Sequence, residues 1–362
     1  MKNILFYLIV LISVSSNAQD SVKLSNSNTN PLTWRGYVEA YYSYDFNKPA
    51  NNTKAAFIYD HNRHNEFNIN LAFLRGTYSS DKIRGTLALA TGTYMNANYA
   101  AEPSTLKNIY EANAGFRLGK KNCWIDAGIF SSHIGFESAV SKDCWTLTRS
   151  ILADNSPYYE AGAKITYISN NSKWLISILA LNGWQRISRV DGNSLLSIGT
   201  QVQYKPNEST TINYSTFIGT DKPDSARLIR VYHNLYETFQ ISKKLGMTIG
   251  FDLGTEQKYK ESSKKNLVYS PVVIAKYSIN GKWGLAARGE YYSDKHSVLI
   301  FTGTPNGFKT FGFSLNVDYS PEANVILRCE GKVLKSKDQI FIDDQSVKKY
   351  DIALTTSIAI SF

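Results

Sequence analysis

The chain has 362 residues, with 40 Lys and Arg against 30 Asp and Glu for a formal net charge of +10, and 24 Tyr, 17 Phe and 6 Trp give an aromatic fraction of 13%. After residue 18 no apolar run reaches the roughly 18 residues that a transmembrane helix requires, the longest being 174–181, which excludes a helical membrane protein. The basic excess is not gathered into clusters with stacking motifs, so no nucleic-acid partner is expected, and three scattered cysteines, Cys123, Cys144 and Cys329, read as small buried or lipid-facing residues.

Met1, Lys2 and Asn3 precede an apolar stretch over 4–14, then Ser15, Ser16, Asn17 and Ala18. A cationic head, an apolar core too short to span a bilayer and small residues before position 19 predict a secretory signal over 1–18. No cysteine follows the cleavage point, so no lipid anchor is expected. A short N-terminal periplasmic segment over 19–33 then leads into one β domain over 34–362, with no linker or shift in composition to divide it.

Alternation of apolar and polar residues starts at 34–46, with Trp34, Val38, Ala40, Tyr42, Tyr44 and Phe46 on one face. It continues at 66–78, with Phe67, Ile69, Leu71 and Phe73 outward, at 83–94, with Ile83, Leu87 and Leu89 outward, and at 109–118, with Tyr110, Ala112, Ala114, Phe116 and Leu118 outward. Further strands are predicted at 123–131, 158–168, 174–182, 195–204, 210–218, 230–241, 246–256, 267–277, 282–292, 308–319, 324–334 and 347–362. The connections alternate in length: short ones rich in Gly, Pro, Asn, Asp and Ser separate longer ones such as 47–65, 95–108, 132–157 and 293–307. A soluble sandwich has no reason to sort its loops by end. The pattern predicts an all-β fold, a transmembrane antiparallel up-and-down barrel of about 16 strands with short periplasmic turns and long outer loops.

The last segment alternates Ile352, Leu354, Ile358 and Ile360 with Asp351, Ala353, Ser357 and Ala359, and stops on Phe362, an aromatic suited to the membrane interface and to an insertion signal. The opposite faces of the strands carry Glu39, Arg84, Glu111, Arg117, Glu160, Lys164, Asp252, Lys276, Arg288, Glu290, Asp318, Arg328, Glu330 and Asp351. With the apolar face in lipid, these charges are expected to line a wet pore.

Several segments resemble the OmpL-like β-barrel porins of Gram-negative bacteria: Phe46-Asn-Lys-Pro-Ala-Asn, Asp60-His-Asn-Arg-His-Asn-Glu-Phe-Asn-Ile-Asn-Leu, Ala101-Glu-Pro-Ser-Thr-Leu-Lys-Asn-Ile-Tyr-Glu and Ser132-His-Ile-Gly-Phe-Glu-Ser. So do Lys142-Asp-Cys-Trp-Thr-Leu-Thr-Arg-Ser-Ile-Leu-Ala-Asp-Asn-Ser-Pro, Leu181-Asn-Gly-Trp-Gln-Arg, Gly219-Thr-Asp-Lys-Pro-Asp-Ser and Thr302-Gly-Thr-Pro-Asn-Gly-Phe. The resemblance implies an outer-membrane porin that passively conducts small hydrophilic solutes or ions. Its expected partners are membrane lipid and the barrel-assembly machinery, without a cofactor, and similarity to general porins adds a homotrimer.

The longest loop, 132–157, mixes His133, Glu137, Lys142, Asp143, Arg149 and Asp154 with Ile134, Phe136, Leu147, Ile151 and Leu152, too apolar to lie in water, and is expected to fold inward as a constriction. His61 and His64 are close in sequence but lack further spaced ligands, so no metal is expected. An outer-membrane hydrolase is the competing enzyme class, and it lacks a nucleophile-elbow motif here. A non-conducting structural or adhesin-type barrel is the other alternative and would require a filled lumen. The excess of bases over acids suggests a weak anion preference, nearly balanced by the inward carboxylates.

Overall fold

A computed structural model of the protein describes residues 31–119, 122–343 and 346–362; the expected signal over 1–18 and most of the segment over 19–33 lie outside the described residues. The strands are β1 (Leu32–Asp45), β2 (Phe67–Ser79), β3 (Ile83–Thr91), β4 (Ile109–Arg117), β5 (Cys123–Ser131), β6 (Tyr159–Ile168), β7 (Trp174–Leu181), β8 (Ser197–Asn207) and β9 (Thr210–Gly219). They continue with β10 (Arg230–Gln240), β11 (Leu245–Gln257), β12 (Lys265–Ser278), β13 (Trp283–Asp294), β14 (Phe308–Tyr319), β15 (Val325–Ser336), β16 (Phe341–Asp343), β17 (Ser346–Lys348) and β18 (Tyr350–Ser361). β1 to β15 and β18 form one closed antiparallel barrel, in which each strand pairs with its neighbour in sequence and β18 pairs with both β15 and β1. β16 and β17 form a separate hairpin in the last long connection.

Closure removes the sheet edge that lipid cannot tolerate. At the seam the Gly36 N–H donates to the Phe362 carbonyl at 2.6 Å and the Phe362 N–H donates back at 2.9 Å. The outer surface is apolar, with Leu87, Ile178 and Leu315 all exposed, as a lipid band requires. Aromatic pairs mark its borders: Trp174–Tyr204 and Trp283–Tyr319 near the short turns, Tyr291–Phe311 toward the long loops.

Three register shifts interrupt the barrel among the described residues, one at the short-turn end of β8 and two that overturn the expected facing, each of these at a β-bulge. Glu39 pairs with Leu71 but Ala40 pairs with Ile69, leaving Asn70 as an extra residue in β2. One extra residue exchanges the two faces. Phe67 therefore faces lipid as expected, whereas Leu71, fully buried, and Phe73 turn inward, and Leu74 takes the outer face. The second bulge lies where Ala88 pairs with Glu111 and Leu89 with Ile109; Tyr110 is the extra residue and turns inward to stack on Phe73 at 5.4 Å. The third strand ends at Thr91 and not at 94, because Gly92, at φ 129°, starts a short helix, α1 (Thr93–Asn98). A Cβ on Gly92 would sit 2.3 Å from the Asn70 carbonyl oxygen, so the bulge and the glycine depend on one another.

Candidate channel interior

From the long-loop end of β5 the chain turns into the barrel and crosses its lumen. Backbone N–H and C=O groups carried into the interior need partners, and the charged faces of the strands supply them. His133 places Nδ1 2.9 Å from Glu160 and Nε2 2.8 Å from the Thr216 carbonyl, and its own carbonyl accepts from Ser215. Ser141 donates to Glu39 at 2.5 Å. Lys142 reaches the short-turn rim, where Nζ donates to the Ala323 carbonyl at 3.0 Å and to Ser361 at 2.6 Å. There the Arg328 guanidinium, held by Asp318 at 2.7 Å, donates to the carbonyls of Ser141, Cys144, Trp145 and Thr146.

The returning limb is held in the same way. Arg288 donates to the Thr148 carbonyl at 2.6 Å and pairs with Glu330 at 3.0 Å. Glu330 also accepts from the Thr148 N–H and hydroxyl, Glu290 accepts from the Ile151 N–H, and Lys332 donates to the Arg149 carbonyl. Arg149 binds the loop to itself, donating to the carbonyls of Ser138, Ala139 and Leu147. Ser150 caps the short helix α2 (Ile151–Asp154) by accepting from the Ala153 N–H, and donates its own N–H and hydroxyl to Glu137. Of the loop's charged residues, Asp143 alone is exposed; Lys142 is half-buried, and His133, Glu137, Arg149 and Asp154 are buried.

This path sorts the inward charges. The carboxylates Glu39, Glu111, Glu160, Asp252, Glu290, Asp318, Glu330 and Asp351 all point inward, yet all are buried rather than lining water. Arg288 and Arg328 are buried with them, as the seat of the loop. Arg84, Arg117, Lys164 and Lys276 are only half-buried. Arg84 and Arg117 stand on β3 and β4, away from the β13 and β15 wall that carries most of the loop, whereas Lys164 shares β6 with Glu160, which holds His133. On that side Arg84 forms a two-pronged pair with Asp126 at 2.5 and 2.6 Å, Arg75 pairs with Glu111 at 3.0 Å, and Lys164 lies over the Phe130 ring at 4.3 Å.

Toward the long loops the interior is apolar. Inward residues near the strand ends, among them Phe217, Tyr232, Tyr292, Phe308 and Leu334, pack with Phe57, Ile151, Trp184, Val298 and Phe341 from the outer connections. A second cluster joins Tyr37, Leu71 and Tyr110 to Tyr94 and Tyr99 from the α1 segment. Burial raises the proton affinity of Glu137, and burial together with the Asp60 carboxylate raises that of Asp154. Burial alone would lower that of His133, but Glu160 and the Thr216 carbonyl together outweigh it and raise it.

His61 and His64 do not converge on a common point. His61 Nε2 faces Glu39 at 3.2 Å, whereas His64 Nδ1 accepts from the Asp45 N–H at 2.9 Å. Ser132 and His133 both contact Glu160, and the Thr216 carbonyl occupies the second ring nitrogen that a nucleophilic serine would need as its base. Asp126 and Trp124 were legible by alternation but were not singled out, and Arg75 was hidden by the bulge. Also missed were His233 and Glu237, which lie on the lipid face of β10 with Leu235; His233 bonds the Tyr214 hydroxyl at 2.7 Å. Phe362 is 73% exposed at the barrel rim.

Known structures share this architecture at low sequence identity. The anion-selective porin from Comamonas acidovorans aligns over 91% of this chain and 99% of its own, with a TM-score of 0.60 and 10% identity. The outer membrane channel DcaP of Acinetobacter baumannii aligns over 91% and 97%, with a TM-score of 0.58 and 12% identity. Outer-membrane expressed OmpT of Vibrio cholerae aligns over 93% and 99%, with a TM-score of 0.59 and 8% identity. No curated protein matches the chain in sequence. The family described as "Putative beta-barrel porin-2, OmpL-like" matches residues 31–362, the whole barrel. The chain belongs to this OmpL-like family of outer-membrane β-barrel porins.

Proposed function

We propose that the protein is a passive channel for small hydrophilic solutes or ions, without catalytic activity, exported by its N-terminal signal and inserted by the barrel-assembly machinery. The observation that carries this reading is the asymmetry of the interior: the loop over 132–157 takes its main seat on β13 and β15, with further bonds to β1, β6 and β9, while half-buried Arg84 and Arg117 remain on β3 and β4. A barrel of about 16 strands has room for a passage beside such a loop. Glu39, Glu160, Arg288, Glu290, Arg328 and Glu330 then serve as a seat for the loop, Glu111 pairs with Arg75 on the other side, and Arg84, Arg117, Lys164 and Lys276 face the solute. A homotrimer is the proposed assembly, by likeness to OmpT of Vibrio cholerae, which is described in a trimer form.

A second reading is favoured by the apolar cluster of Phe57, Trp184, Phe217, Tyr292 and Phe308, which fills the long-loop end of the interior. It makes the barrel a closed, non-conducting scaffold. Reconstitution of the purified protein in planar bilayers separates the two: stepwise current supports the channel, and a silent bilayer containing folded protein supports the scaffold.

A further inference from the structure

We propose that Arg84, Arg117 and Trp124 form a binding site for a small oxyanion, phosphate or carboxylate, on the lumen wall near the short-turn rim; as a step in permeation it rests on the channel reading above. Trp124 is buried on β5, with the Arg84 guanidinium 4.4 Å and the Arg117 guanidinium 5.2 Å from its ring centroid. One indole therefore gathers two like charges, an arrangement that favours an anion between or above them.

The two arginines are not equivalent. Arg84, Gly115, Asp126 and Lys164 follow one another in register across β3 to β6. A Cβ on Gly115 would lie 2.1 Å from the Asp126 carboxylate, so its absence lets Asp126 reach Arg84 and fix the guanidinium plane. Arg117 has no carboxylate within ion-pair distance among the described residues, and its Nε has no hydrogen-bond partner. It is also half-buried, open to an incoming group. A fixed guanidinium beside an unpaired one on the same ring can grip a planar or tetrahedral oxyanion with several N–H donors. The carboxylates that would compete for Arg117 are used elsewhere, Asp126 by Arg84 and Glu111 by Arg75 and Ser131.

The test uses inorganic phosphate as the probe and the full-length folded barrel in detergent, titrated by calorimetry, with ion selectivity measured separately in planar bilayers. Arg117→Gln is expected to weaken phosphate binding by at least about tenfold. Arg117→Lys should retain part of the affinity, and Lys258→Gln, in an exposed outer loop, should leave it unchanged. Resistance of each folded variant to denaturation verifies that the barrel is intact. Absence of phosphate binding by the wild type, or equal binding by the wild type and Arg117→Gln, would overturn the proposal even where current flows. Phosphate binding with the expected loss in Arg117→Gln but no current would uphold the site and reject the channel reading.

Discussion

The Arg328 guanidinium donates to the Ser141 carbonyl at 2.5 Å, joining positions 187 apart in sequence and pinning the tip of the infolded loop to the barrel wall. The same side chain serves the carbonyls of Cys144, Trp145 and Thr146 while Asp318 balances its charge. Arginine is suited to this position because its planar fork offers several donors at fixed angles, which a lysine ammonium cannot reproduce.

Arg328→Met should therefore free the loop tip without preventing barrel closure. Removing one partner of a buried pair costs about 3–5 kcal/mol, here by leaving Asp318 uncompensated and four carbonyls without a donor. The expected outcome is a folded barrel with a larger or noisier single-channel conductance, with Arg328→Lys intermediate. An unchanged conductance in a folded Arg328→Met barrel would show that the loop tip is not held by this contact.

The seated loop should bind protons more tightly than the released one. His133, Glu137 and Asp154 all have raised proton affinity in place. Groups raised in the seated state stabilise it fully below their ordinary values, near 4 for the carboxyls and 6.5 for the imidazole, and this contribution is lost as pH rises through the raised values. Lys142 is lowered by burial and has the opposite sign, but it acts only toward the ordinary lysine range. Conductance should thus rise from acid toward mildly alkaline pH. The double variant His133→Gln, Glu137→Gln should flatten that slope in bilayer recordings; a slope of opposite sign in the wild type would contradict the account.

Deleting Asn70 should lower the yield of folded barrel by removing its side-chain contacts. The facing itself would survive, because without Asn70 the residues Ile69 and Leu71 follow one another on opposite faces, opposite Ala40 and Glu39. The deletion would still remove the side chain that ties Glu39, Asp60 and the His61 N–H together. Recovery of folded protein at wild-type levels in outer-membrane fractions would show that these contacts are dispensable for assembly.

Most of the fold was readable because lipid imposes a strict rule. All sixteen barrel strands follow from alternation and from the sorting of loops by length, down to 123–131 with both ends correct. The errors arose where one inserted residue, Asn70 or Tyr110, reversed the faces, since pattern reading carries no signal for an unpaired residue. The interior was legible in direction but not in wetness. Arg288 and Arg117 read alike in sequence; the first lies under Thr146 and Thr148 and the second does not, because the infolded loop takes its main seat on β13 and β15.

Phe362 and Gly36 define the seam. The Phe362 ring lies where a Cβ on Gly36 would be, 2.3 Å from the nearest ring carbon. Gly36→Val should displace the ring and lower the yield of folded barrel, and removal of Phe362 should lower it further if this residue is also the insertion signal. Membrane-fraction yields for both variants equal to that of the wild type would separate the seam from assembly.

The most direct test of the central claim is single-channel recording of the purified protein in planar bilayers, before and after removal of the loop segment over 138–150. The account predicts small stepwise currents from the intact barrel and distinctly larger ones from the shortened protein, because the loop occupies one side of the lumen and leaves a passage along the other. Silence from the intact barrel with large currents from the shortened one would mean that the loop is a complete plug and would contradict the claim.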